Sequence, residues 1–212
     1  MSVDLADRHR KSSTRRPILE SVPGLSRTRE AVVYAAQLHA GQLRAEDGAP
    51  FIVHPLEVAC LLYDAGASDQ MIAAGLLHDV IEKTDADAED LSARFGSSIA
   101  SLVLALTEDQ RIIGYDARKA ALCEQVVTAG RDAQMVFAAD KISKVRELGC
   151  AYARSGDHSA RSVRLNDRRL AYYRRCLQLL EELLAGSSLV IELRTEVERA
   201  QAVSRARSTA AG

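Results

Sequence analysis

Five histidines occur among 212 residues, and one of them interrupts an apolar pattern. Ala73-Ala74-Gly75-Leu76-Leu77 runs directly into His78-Asp79, and Glu82 follows on the same helical face, at i+4 and i+3. Adjacent helical residues point about 100° apart, yet a long imidazole and a short carboxylate can still converge on one ion. Taken alone, the fragment also fits a surface His-Asp pair near a helix end. His54 supplies a second imidazole, after Phe51-Ile52-Val53, which reads as extended, and before Pro55, which reads as the first residue of a helix. Asp140 stands inside the apolar stretch Val136 to Ile142. A buried carboxylate needs a partner or a metal, and Lys141, Lys144 or plain exposure are the ordinary alternatives. Two imidazoles and two carboxylates form a mixed N/O set suited to Mn, Fe, Co or Zn, with positions left for water and phosphate oxygens.

The elements that must position these groups read as helices. Hydrophobic residues make up 47% and aromatics only 4%, with Gly 12 and Pro 4, a mix that favours helices over a sandwich or barrel. Ser26 is placed to cap a helix running to about Ala40, and Gly41 ends it. A Pro55 helix stops at Gly66, and a Ser68-capped helix with Asp69 in its first turn runs to about Lys83. Further helices are expected from Ala88 to Phe95, Ser97 to Thr107, Ala117 to Gly130 and Asp132 to Leu148. Ala151 to Arg164, containing His158, reads as a basic, Ser-rich loop. Leu170, Tyr173, Leu177, Leu180 and Leu184 form one stripe. That stripe assigns the last two helices, Asp167 to Ala185 and Ser188 to Arg205, to packing, with a homodimer contact as a further candidate use.

A net charge of -1 excludes a polybasic nucleic-acid coat protein. Residues 1 to 24 are polar and read as a flexible leader, with one domain over residues 25 to 212. No apolar run approaches a membrane span and no signal-peptide pattern opens the chain, so a cytoplasmic protein without membrane or nucleic-acid partners is expected. Cys60, Cys123, Cys150 and Cys176 show no CxxC spacing and read as buried free thiols.

Four motifs occur in order: His39-x-x-Gly41-Gln42-x-Arg44, Pro50 to Pro55 (PFIVHP), Gly75 to Glu82 (GLLHDVIE) and Phe137 to Lys141 (FAADK). Together they resemble the HD-domain phosphohydrolases, and more narrowly the alarmone hydrolase branch of Rel-type enzymes and their small stand-alone relatives. The resemblance covers residues 26 to 150, and Ala171-Tyr172-Tyr173-Arg174 resembles a later helix of the stand-alone group. It implies an all-α HD bundle of eight to nine helices. It also implies that His54, His78, Asp79 and Asp140 hold a divalent metal, usually Mn²⁺, and that Glu82 handles protons as the catalytic carboxylate. Arg44 would stack on a base of the nucleotide, and Lys83, Lys141 and Lys144 would compensate phosphate charge. The implied reaction is 3′-pyrophosphate hydrolysis of (p)ppGpp. The chain departs from the branch at Lys83, where a second acid is usual, and at Ser143-Lys144, where His-Asn is usual. Asp85 and Asp87 lie just beyond as substitute acids. Two rival readings follow from those departures: a catalytically silent nucleotide-binding regulator, and an HD phosphohydrolase with another nucleotide substrate.

Overall fold

The computed structural model describes residues 24–154 and 160–210. The expected leader lies outside the described residues apart from Gly24, and so does His158. The helical segments are α1 (Ser26–Leu38), α2 (Val53–Asp64), α3 (Asp69–Leu77), α4 (Val80–Lys83), α5 (Ala88–Phe95), α6 (Ser97–Leu104), α7 (Tyr115–Ala129), α8 (Arg131–Arg154), α9 (Ala160–Leu183) and α10 (Ser188–Ala210). The single turn α4 continues α3 beyond a break at His78-Asp79, so the all-α expectation holds with one helix divided in two. Among the described residues the only β pairing is an isolated bridge between Leu43 and Pro50. No described helix is long and apolar enough to cross a membrane.

The longest apolar run of the sequence forms the central helix. Every residue from Met71 to Leu77 is buried, and α3 packs on α1, α2, α6 and α8. Gly75 permits the approach of α2, because a Cβ there would lie 2.6 Å from Leu62 Cδ1 and 3.2 Å from Val58 Cγ1. Ser68 caps α3 as expected, accepting from Met71 N at 3.3 Å. Ser26 does not cap α1 but begins it. The cap comes from Asp69, whose carboxylate accepts from Arg27 N at 2.9 Å and Thr28 N at 2.8 Å. One side chain at the start of α3 thus satisfies two orphan donors of α1, each such cap contributing on the order of 1 kcal/mol.

Several boundaries differ from the sequence reading. Phe51-Ile52 is a helical turn and not an extended segment, with Val53 N bonded to Pro50 O at 3.1 Å and His54 N to Phe51 O at 3.0 Å. α2 therefore starts at Val53, and Pro55 sits third, still within the first turn where a missing N–H costs nothing. α8 passes through Gly149 to Arg154. A mid-helix glycine costs only about 1 kcal/mol, and packing of α8 on α2 and α10 offsets it. The segment expected as a loop is helical over Ala151 to Arg154 and again from Ala160. None of the four cysteines is in a disulfide; Cys60 and Cys176 are buried and Cys123 and Cys150 half-buried.

Candidate metal centre and substrate cleft

His54 is the second residue of α2, His78 and Asp79 occupy the break between α3 and α4, and Asp140 lies midway along α8. Packing of α2, α3 and α8 brings His54, His78 and Asp140 to one buried point, while Asp79, the fourth expected ligand, borders the two rings without joining the mutually close group. His54 Nε2 stands 3.1 Å from His78 Nε2, 3.5 Å from Asp79 Oδ2 and 3.3 Å from Asp140 Oδ1. His78 Nε2 stands 3.5 Å from Asp79 Oδ2 and 3.6 Å from Asp140 Oδ1. His54, His78 and Asp140 each offer a ligand atom within 4.8 Å of the others.

The hydrogen bonds behind the two rings decide what those atoms are. His78 Nδ1 faces the Gly75 carbonyl at 2.7 Å, an acceptor only, so Nδ1 carries hydrogen and Nε2 presents its lone pair when the ring is neutral. His54 Nδ1 faces Ser143 Oγ at 2.8 Å, and that hydroxyl donates to Glu57 Oε2 at 2.8 Å, so His54 also donates from Nδ1. Asp79 Oδ2 and Asp140 Oδ1 are buried with no hydrogen-bond partner. With both rings neutral, two nitrogen lone pairs and two carboxylate oxygens face one another without a donor among them. Such a set suits a cation at its centre, and the N/O ligands fit a divalent transition ion.

A protonated ring can supply positive charge to the two carboxylates: Asp79 and Asp140 raise the His78 pKa against its burial. Burial pushes the Asp140 carboxyl up, but Lys141 and the rings in their donating form outweigh it and hold the group well below the usual carboxylate range. Burial acts on Asp79 in the same way and is outweighed by His78, Lys144 and His54. Lys141 Nζ binds the outer oxygen of Asp140 at 2.6 Å, leaving Oδ1 for the centre. Lys144 Nζ stands 3.8 Å from Asp79 Oδ2.

Glu82 follows one turn after the break, in α4, and its Oε1 accepts from Glu108 N at 2.6 Å. Burial, reinforced by the negative charges of Asp79 and Glu108, raises its pKa. A raised carboxyl is a stronger proton acceptor near neutrality. The first motif acts on this turn: His39 donates from Nδ1 to Gln42 Oε1 at 2.9 Å, and Gln42 Nε2 donates to the Lys83 carbonyl at 2.8 Å. Lys83 is exposed, its Nζ 5.4 Å from the centre of the Phe51 ring. Lys144 Nζ lies 5.5 Å from the same ring. Of the two substitute acids, Asp87 is committed to capping α5, accepting from Asp90 N at 2.9 Å, and Asp85 is exposed.

Beside the centre opens a cleft of about 610 Å³ lined by Arg44, Lys83, Lys141 and Lys144, all four of the expected substrate-contacting cations. Arg44 is buried and held edge-on: Nε donates to Asp47 Oδ1 at 3.0 Å, Nη2 pairs with Asp47 Oδ2, and Nη1 reaches Glu147 Oε1 at 3.4 Å. These bonds fix the plane of its guanidinium. Sequence reasoning missed Lys119 and Arg169, which also line the cleft, together with Tyr115 and Tyr172. Their signal was i+3 and i+4 spacing on one face, Tyr115 with Lys119 and Arg169 with Tyr172 and Tyr173. Tyr173, read as part of a packing stripe, also lines the cleft, so α9 serves the site as well as the core.

A bundle that delivers two histidines and an aspartate to one buried point, with a second aspartate bordering them, beside a cationic cleft defines an HD-type domain. The chain belongs to the HD-domain family, whose model matches residues 31–168. It is 35% identical over 122 residues to the human guanosine-3′,5′-bis(diphosphate) 3′-pyrophosphohydrolase MESH1, covering 56% of this chain and 68% of that protein. It is 36% identical over 133 residues to the Vibrio cholerae enzyme of the same designation, covering 60% of this chain and 19% of the relative. The chain spans a fifth or less of the bacterial relatives it matches. A solved metazoan ortholog of SpoT, described as hydrolysing ppGpp, shares the fold with a TM-score of 0.71 at 24% identity, over 82% of this chain and 95% of that one.

Proposed function

We propose that the protein is a metal-dependent phosphohydrolase that removes the 3′-pyrophosphate of (p)ppGpp. The observation that carries this reading is the close approach of His54 Nε2, His78 Nε2, Asp79 Oδ2 and Asp140 Oδ1 at the side of a cation-lined cleft. Relatives named for that activity support the substrate. The four residues would hold a divalent ion, with Mn²⁺ the proposed occupant. When bound, such an ion supplies Lewis acidity toward water and phosphoryl oxygen. Glu82, held by the Glu108 amide, accepts the proton of the attacking water. Lys83, Lys141 and Lys144 neutralise charge developing on the phosphates, and Arg44 stacks on the base. A cytoplasmic location fits such a substrate.

The direct test is pyrophosphate release from ppGpp with Mn²⁺, compared between the wild type and Asp140→Ala. No release by the wild type, despite tight Mn²⁺ binding, would exclude this substrate. One observation favours a second reading within the same chemistry: two ammoniums, Lys83 and Lys144, flank Phe51. Extra cations there suit a nucleotide whose phosphates are disposed differently, and assaying NADPH, with its 2′-phosphate, beside ppGpp separates the two.

A further inference from the structure

Behind His54 a chain of hydrogen bonds leads away from the metal ligands to α10. His54 Nδ1 donates to Ser143 Oγ at 2.8 Å, Ser143 Oγ donates to Glu57 Oε2 at 2.8 Å, and Arg146 Nη1 donates to Glu57 Oε1 at 2.8 Å. Arg146 is itself held by α10, where Nε meets Glu196 Oε1 at 2.9 Å and Nη2 pairs with Glu192. The direction of every bond is forced from the far end. Arginine can only donate, so it fixes Glu57 as an acceptor. An ionised Glu57 can only accept, so the serine hydroxyl must point at it, leaving the Oγ lone pairs for His54.

We propose that Ser143, Glu57 and Arg146 are positioning residues that lock His54 in its Nδ1–H tautomer and so set the affinity of the metal centre. The proposal rests on the reading of His54 as a metal ligand. It gives a use to Ser143, the position where the motif departs from its relatives' pattern, and to Glu57 and Arg146, which stand behind the four converging atoms and act on them through the serine. Outer partners of this kind typically change metal affinity by 10- to 100-fold.

The polarity of the chain makes a sharp test. In Glu57→Gln the side-chain oxygen must face Arg146, which turns the amide NH₂ toward Ser143. The hydroxyl then donates to His54 Nδ1 and the ring hydrogen moves to Nε2, the atom aimed at the metal. Ring ¹⁵N shifts of metal-free protein and Mn²⁺ titration calorimetry read the two consequences separately. The wild type should carry hydrogen on His54 Nδ1. Glu57→Gln should carry it on Nε2 and bind Mn²⁺ at least tenfold more weakly. Ser143→Ala, a smaller change that keeps the Glu57–Arg146 pair, should lose about tenfold, and Ser143→Thr should recover it. In Ser143→Ala the ring can keep Nδ1–H toward Glu147 Oε1, 3.4 Å away, so its loss of affinity comes from a less firmly oriented ring, whereas Glu57→Gln changes the tautomer itself. A wild-type ring protonated at Nε2, or folded Glu57→Gln and Ser143→Ala with undiminished Mn²⁺ affinity, overturns the proposal. Unchanged affinity in His54→Ala would instead remove the metal reading beneath it.

Discussion

Gln42 Nε2 donates to the Lys83 carbonyl at 2.8 Å, fastening the residue after Glu82 to a loop that the sequence places 41 residues earlier. Through this bond the first motif acts mechanically, holding the short turn α4 in the orientation that presents Glu82. Gln42→Ala should cost about 1 kcal/mol of stability and lower kcat more than it raises KM. Thermal melting and steady-state kinetics check this, and an unchanged kcat would limit Gln42 to a loop clip.

Asp140→Ala should abolish Mn²⁺ binding, and it should also destabilise the fold. Lys141 is buried and its ammonium is bonded to Asp140, so the variant leaves a buried charge without its partner, at roughly 3 kcal/mol or more. Asp140→Ala combined with Lys141→Met should recover stability but not metal binding. Denaturant unfolding and calorimetry separate the two effects.

Glu82→Gln is expected to trade activity for stability. Because burial raises the Glu82 pKa above its unfolded value, the charged carboxylate lowers stability once the pH exceeds that unfolded value. The amide removes this cost while its oxygen can still accept from Glu108 N. The variant should melt no lower than wild type at neutral pH and lose about 10²-fold or more in rate. In the wild type the rate should fall as pH drops through the raised pKa, so the acid limb of the profile lies above the ordinary glutamate value.

Gly75→Ala should cost about 1–3 kcal/mol, because the new Cβ meets Leu62 across the α2–α3 contact. The Gly75 carbonyl also orients His78, so the same change should weaken Mn²⁺ binding. Adding Leu62→Ala to it should cost less than the sum of the two single changes, measurable in a double-mutant cycle.

Lys83→Asp should lower hydrolysis of the natural nucleotide, because an exposed cation at the cleft is replaced by an anion facing phosphates. A gain on ppGpp would mean instead that a missing second acid limits turnover. Pyrophosphate release at saturating substrate distinguishes the outcomes.

The helix content and the metal-ligand candidates were legible because both are local patterns. An apolar run broken by His78-Asp79 announces a buried helix end, and Asp140 in an apolar stretch announces a charge that needs company. Asp69 as the cap of α1 was not legible, since its acceptors serve donors 41 and 42 residues away. Serine beside a helix start is the usual signal, and here a long-range partner displaced Ser26. Arg169 and Tyr172 stayed hidden for a similar reason. Their face of α9 is half leucine stripe and half cleft wall, and only the packing of α9 beside α7 and α8 shows which half is which.

The anchoring of Arg146 by Glu192 and Glu196 has a consequence in time. A chain emerging from the ribosome N-terminus first delivers every residue of the proposed ligand set by position 140, but the two acids that hold Arg146 belong to α10 and arrive more than fifty residues later. During that interval the helices around the centre can collapse, yet Arg146 has Glu57 as its only acid partner within the emerged part of the network. α10 then closes the network from outside, so the proposed centre receives its full set of supporting acids from a helix that contributes no ligand to it.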